Sequence, residues 1–339
     1  MKLLLTPILF FALLQIGCNQ RDKLPPIAHN LGFRGLCEDA DGNLYAAGQN
    51  GSVFSLSTAR QTWQDISPKD YADGEFRDVV FHASTGKLLA MGITRPARLM
   101  SYSLAEKAWT TVYENQDTSV FLDGMAQHNN QVYVYGDPVD GEWFMLRSSN
   151  LTDWDTVVCP IQPVAGEAGF AASGTGLIVD ESGLYLASGG KRSGVYHWKE
   201  GDTNGLFYEL PYDTLPGSGV FSIAKSETKL WAVGGDYTQA ESTVNTGFII
   251  DLEAGKTIQP ETNPLGYRSS IVQHRGILMC SGRNGTDISS DEGKNWTSFS
   301  TFPYYRLHST EHGVVGIGNQ GRVYLFSDDE ILNYSQNLE

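Results

Sequence analysis

The chain has 339 residues, 41% of them apolar and 19% charged, with 24 Lys and Arg against 39 Asp and Glu and a net charge of −15. That balance excludes a globally basic nucleic-acid binder, and the apolar share places the chain among folded rather than disordered proteins. Four widely spaced cysteines make no disulfide framework, and neither CxxC nor HExxH occurs, so no metal site is expected.

Residues 1–18 are a separate object. Lys2 precedes an apolar run from Leu3 to Leu14, followed by Gln15-Ile16-Gly17-Cys18. So short a run reads as an export signal, and the Gly-Cys junction resembles a bacterial lipoprotein signal with Cys18 as the lipidated residue. Plain secretion with another cleavage site is the alternative. Residues 19–28 would be a tether stiffened by Pro25-Pro26. The expectation is an exported cell-envelope protein, periplasm-facing or on the surface, held to a membrane surface by lipid and without a spanning helix.

From residue 29 to 339 the sequence reads as a single repeating domain. An aromatic residue opens each repeat, at Phe33, Phe76, Phe121, Phe170, Phe221, Tyr267 and Tyr305, and the openings are 43, 45, 49, 51, 46 and 38 residues apart. A marker glycine follows each opening: Gly48, Gly92, Gly136, Gly189, Gly234, Gly282 and Gly318. Short strands at a period of roughly 40–50 residues predict an all-β fold, a seven-bladed β-propeller of four-stranded antiparallel blades. In the first repeat, Phe33–Cys37, Leu44–Gly48, Ser52–Leu56 and Thr62–Ile66 supply the four strands. The sixth ends in Ser289-Ser290-Asp291-Glu292-Gly293-Lys294-Asn295-Trp296, the SxDxGxxW pattern of the sialidase-type Asp-box (BNR) repeat, with a degenerate copy from Ser149 to Trp154. This pattern is a turn-forming device and says nothing of catalysis. Gly316 to Gly321 fits GxGxxG, but a strand pattern follows it where a nucleotide site needs a helix.

Phe33-Arg34-Gly35-Leu36, Gly136-Asp137-Pro138-Val139-Asp140-Gly141, Gly166-Glu167-Ala168-Gly169-Phe170, Gly234-Gly235-Asp236-Tyr237 and Gly266-Tyr267-Arg268-Ser269 resemble phrases of the photosystem II stability/assembly factor-like propellers. The likeness is to the exported bacterial, non-photosynthetic branch and covers about residues 28–326. It implies a seven-bladed propeller and, by way of photosynthetic relatives, a chaperone-like scaffold that grips a membrane-protein partner through an arginine patch. The branch often carries an "oxidoreductase" label, but no flavin, nicotinamide, haem or quinone motif is present, so no cofactor is expected.

In a propeller, the starts of the innermost strands and the turns after the marker glycines share one face near the axis. Arg34, Arg77, Arg268 and Arg306 occupy one repeat position; Arg95, Asp137, Arg192 and Asp236 lie in the turns, and Glu167 precedes the fourth opening. Arginine's planar fork suits carboxylates and phosphates, so one reading is a cationic cup for an acidic segment or a small anion. The other is an internal network in which Asp78, Asp123, Asp137 or Asp236 balances the arginines and ties blades together. No catalytic residue is assigned. The expected function is a binding or assembly scaffold gripping an acidic or carboxylate-bearing segment of an envelope or membrane protein. Two alternatives stand beside it. One is a sialidase-like glycoside hydrolase using Tyr304 or Tyr305 with Glu167; the other is a redox enzyme.

Overall fold

The computed structural model describes residues 24–27, 30–59 and 62–336. The expected signal segment and Cys18 lie outside them. Among the described residues the strands form six antiparallel sheets, and no helix is long and apolar enough to cross a membrane. The first three repeats give four-stranded meanders over Phe33–Asp65, Phe76–Asn115 and Leu122–Thr156. The sixth gives another over Ser270–Ser300, and the last a three-stranded sheet over Arg306–Ser327. Between them lies a nine-stranded sheet spanning Glu167 to Ile258. Its two halves meet at the pair Gly189–Gly219, where a Cβ on Gly219 would lie 2.4 Å from the Gly189 Cα.

The innermost strands pack in a closed ring. Phe33–Glu38 lies on Phe76–His82, then follow Leu122–His128, Leu177–Asp180, Ser218–Lys225, Ser270–His274 and Arg306–Thr310, which returns to the first. Apolar side chains fill the wedges between neighbouring sheets. Hydroxyl and carboxylate side chains stitch neighbouring inner strands together: Asp78 accepts from the Met125 amide at 2.9 Å, Ser222 from Ile271 at 2.9 Å and Ser270 from Leu307 at 3.0 Å. The ends meet at the last sheet, where the Ile27 amide donates to the Gly321 carbonyl at 2.9 Å and Ile27 is buried. Part of the expected tether is therefore packed.

The marker glycines have a steric cause. Gly48, Gly92, Gly136 and Gly234 each close the first hairpin of their repeat against the strand opening, with a bulge between Phe33 and Gly35, Phe76 and Asp78, and Val220 and Ser222. A Cβ would lie 2.2 Å from the Gly32 carbonyl oxygen at Gly48, 2.0 Å from that of Phe121 at Gly136, and 1.9 Å from those of Gly219 and Tyr267 at Gly234 and Gly282. These glycines are required by close backbone approach, not by a left-handed φ.

Three details differ from the expected elements. Phe170 opens no strand; residues 170–176 form an irregular strap, and the inner strand begins at Leu177. The last sheet has three strands, followed by a helix, Asp328–Gln336, whose first turn carries Asp328, Asp329 and Glu330. Carboxylates there favour the positive end of the helix dipole, but nine residues are too few to show a clear period. The Gly316–Gly321 motif, by contrast, is as expected a turn leading into the strand Val323–Ser327.

The Ser289–Trp296 turn joins the outer strands of its sheet. Asp291 accepts from the Asn295 amide at 2.9 Å, Gly293 sits at φ 83°, and the buried Trp296 indole donates to the Gly293 carbonyl at 3.1 Å.

Gly234→Ala tests the steric account. The methyl meets backbone on the inner strand, so the variant is expected to lose about 1–3 kcal/mol in chemical denaturation. Gly86→Ala, where a Cβ meets nothing within 4 Å but φ is 64°, shows the cost of conformation alone.

Candidate functional site

Two cavities lie at the hub, separated by the strap from Gly169 to Leu177. The first, a cup of about 390 Å³, is lined by Arg34, Arg77, Arg283, Asp123, the strap residues Gly169–Ala172, and the rings of Phe121, Phe170, Phe221, Tyr237, Tyr267 and Tyr305. The second, about 320 Å³, has mostly apolar walls, among them Val80, Met125 and Ile223, with Cys37, Glu38, Arg306 and His308 as its charged or titratable side chains.

Arginines from three repeats hold the strap. Arg77 donates to the Ala171 carbonyl at 2.8 Å and Arg34 to that of Ala172 at 2.9 Å; Arg306 donates to that of Ser173 and pairs with Asp78 at 2.8 Å. Ser173 Oγ bonds the Ser269 carbonyl at 2.6 Å, and Thr175 and Ser222 share a hydroxyl bond of 2.6 Å. Gly174, at φ 70°, faces Asp78, whose carboxylate would lie 2.2 Å from a Cβ there. Burial pushes Asp78 up to about 6 against the opposing pull of Arg306.

The charge on the cup floor is unevenly matched. Arg77 Nε pairs with Glu75 at 2.8 Å. Arg34 has no carboxylate within ion-pair distance among the described residues. Its guanidinium stacks 3.9 Å from the centre of the Tyr305 ring, and burial together with Arg77 pulls it down to about 10. A half-buried cation beside a second cation, facing open space, is a site for an anion.

Asp123 lies at the same floor, 1% exposed, and neither carboxyl oxygen makes a well-formed hydrogen bond, the Ala171 amide being its nearby donor. Burial and the neighbouring Asp137 push it well above the carboxylate range, against a weaker pull from the Ala171 amide. Asp137 is raised too, by burial, and accepts from the Gly169 amide at 3.0 Å. The pair thus sits under the start of the strap.

The other sequence candidates lie elsewhere. Arg268 is 1% exposed and bonded to Asp287 at 2.6 Å and to the Tyr267 carbonyl at 3.0 Å. Arg192 and Tyr196 both bind Glu167, at 3.1 and 2.7 Å, which fixes Glu167 away from Tyr304 and Tyr305. Asp236 caps the short turn at Tyr237–Gln239, accepting from Thr238 at 2.8 Å; these bonds outweigh burial and hold it low. Arg95 is exposed on a separate groove of about 450 Å³, with Tyr71 and Arg98. Of the four arginines at one repeat position, Arg34 and Arg77 therefore line the cup, Arg306 lines the opposite cavity, and Arg268 is internal. The aromatic wall was not picked out as a site from the sequence. Its signal was the opening aromatics themselves, five of which reach the cup.

No group of His, Cys, Asp and Glu among the described residues is arranged to hold a metal. Cys37 and Cys280 are buried and their thiols pushed up by burial; Cys159 is raised to about 11 by partial burial.

No family model and no curated protein matches the chain. Solved structures match its fold. "YCF48 bound to D1 peptide" is 13% identical, with 89% of this chain and 94% of that chain covered and a TM-score of 0.61. YCF48 from Cyanidioschyzon merolae is 13% identical, with 89% and 97% covered and a TM-score of 0.61. The WD40 β-propeller domain of Doa1 is 11% identical, with 89% and 94% covered and a TM-score of 0.62. The chain is thus an all-β fold of four-stranded antiparallel sheets similar to β-propellers.

Two variants test this geometry. Arg268→Met leaves Asp287 buried and unpaired, so a loss of about 3–5 kcal/mol is expected in urea unfolding, largely recovered in Arg268→Met/Asp287→Leu. Asp123 lies above its unfolded value near 3.9. Its contribution to stability is therefore full below about pH 4 and is lost as pH rises through the folded value. Asp123→Asn should match the parent melting temperature at pH 4 and exceed it by a margin that widens toward pH 8.

Proposed function

We propose that the chain is a seven-bladed β-propeller that serves as a protein-binding scaffold, taking a carboxylate-bearing segment of a partner into the cup at Arg34 and Arg77. The nine-stranded sheet counts as two blades joined at Gly189–Gly219, which agrees with the ring of inner strands. A solved structure of similar fold holds a D1 peptide, which supports a peptide segment as the class of ligand. The partner would be an envelope or membrane protein, in keeping with export and lipidation at Cys18 read from the sequence.

The observation that carries this reading is Arg34. Its guanidinium lies at the floor of an open cavity, beside Arg77 and without a carboxylate of its own. A partner carboxylate would supply the missing counter-charge in a site partly removed from water, where a charge-assisted hydrogen bond is worth more than at an exposed surface. Neither alternative activity gains an observation of this kind. Glu167 is bonded away from both tyrosines of the glycosidase reading.

Arg34→Gln removes the charge while keeping a donor for the Ala172 carbonyl. The expected outcome is at least a tenfold loss in capture of the native partner from host membranes by protein that is still folded at the assay temperature. Undiminished capture would remove the cup from the function. Lost capture accompanied by unfolding at the assay temperature would leave the strap as the whole role of Arg34.

A further inference from the structure

The cup has two unlike halves. Arg34 and Arg77 form the cationic floor. Opposite them, Phe170 and Phe221 stack face to face at 3.8 Å, with Tyr267 edge-on to Phe221 at 4.7 Å and Tyr237 edge-on at 6.4 Å. Tyr237 is 40% exposed at the rim, and Arg283 lies over its ring while donating to its carbonyl at 3.0 Å. Phe221 and Tyr267 form, with Ala172, a small cluster separate from the larger cores, and Phe170 packs against it. Phe221 and Tyr267 are buried and back the more exposed rings of Tyr237 and Phe170, and this ring surface near a cation that lacks a carboxylate calls for a ligand that is apolar and planar at one end and anionic at the other.

We infer that the cup selects a chain terminus whose last residue is aromatic. The free main-chain carboxylate bonds Arg34 and Arg77, and the terminal ring lies on Tyr237 and Phe170, backed by Phe221 and Tyr267. This rests on the reading of the cup as a carboxylate site and adds the side chain it prefers. The volume fits one residue of this kind. About 390 Å³ is the room of roughly 13 waters at about 30 Å³ each, at the lower end of ligand pockets. An internal acidic loop would bring a carboxylate but would leave the wall bare. A terminal aspartate would place a second anion against rings whose faces are electron-rich.

The test is fluorescence anisotropy with N-terminally labelled tetrapeptides Gly-Ser-Gly-Phe and Gly-Ser-Gly-Ala, each with a free carboxylate and as the amide. The Phe acid is expected to bind at least tenfold tighter than the Ala acid, and at least tenfold tighter than its own amide. Tyr237→Ala should cut the Phe preference to less than threefold without weakening the Ala acid, and Tyr237→Phe should restore it. Equal binding of the Phe and Ala acids, with both amides weaker, would overturn the aromatic preference and leave the carboxylate site standing. Acids and amides that bind equally, or none that bind up to millimolar concentration, would overturn both.

Discussion

Three guanidinium groups, each carried by a different sheet, grip three successive carbonyls of one strap across the hub: Arg77 on Ala171, Arg34 on Ala172 and Arg306 on Ser173. An irregular segment in the middle of a ring would otherwise bury unsatisfied backbone acceptors. Bonds from charged donors satisfy them and are among the stronger net hydrogen bonds in a protein, at about 1.5–3 kcal/mol each. The grip also divides the central space. On one side stands the cup; on the other, the apolar cavity that Arg306 borders. Without the strap the hub would be one continuous opening and the arginines would have nothing to set their direction.

The same contacts decide how charge is distributed in a chain of net −15. Arg306 and Arg268 each have a buried carboxylate, Asp78 and Asp287, at 2.8 and 2.6 Å. Arg77 shares Glu75. Arg34 alone of the four is matched only by a carbonyl and the face of Tyr305. Asp123, close by, makes no ion pair with Arg34, and burial beside Asp137 disfavours its charged form. An acidic protein thus holds a small positive site whose sign comes from local pairing. It does not follow from overall composition.

The frame could be read in the sequence because its constraints are local and repeated. Marker glycines recur where a second strand ends close to the first, and at Gly48, Gly136, Gly234 and Gly282 that backbone contact leaves no room for a Cβ. The Ser289–Trp296 phrase likewise reports a self-contained turn, bonded within eight residues. What could not be read depends on contacts between distant segments. Nothing near Arg268 in sequence says that Asp287 will bury it, and nothing near Phe170 says that its repeat gives up a strand start to the strap. A repeat position is a place on the chain; the direction a long side chain takes from it is settled by its partners.

Departures from the repeat gather at the hub. The fourth repeat replaces its first strand residues with the strap, the fourth and fifth sheets fuse through two glycines, and the equivalent arginines take three different paths. The outer strands depart from the repeat by single register shifts, at Leu99–Met100 and Thr286–Asp287, and in the last sheet, where the C-terminal helix follows. A ring needs each wedge to be similar so that the faces between sheets can pack, and it needs little of the axis. The axis is therefore where a repeat can lose its regularity at least cost to the core. Here that freedom produces a floor that is cationic on one side and aromatic on the other, an asymmetry that repetition of one unit could not have made.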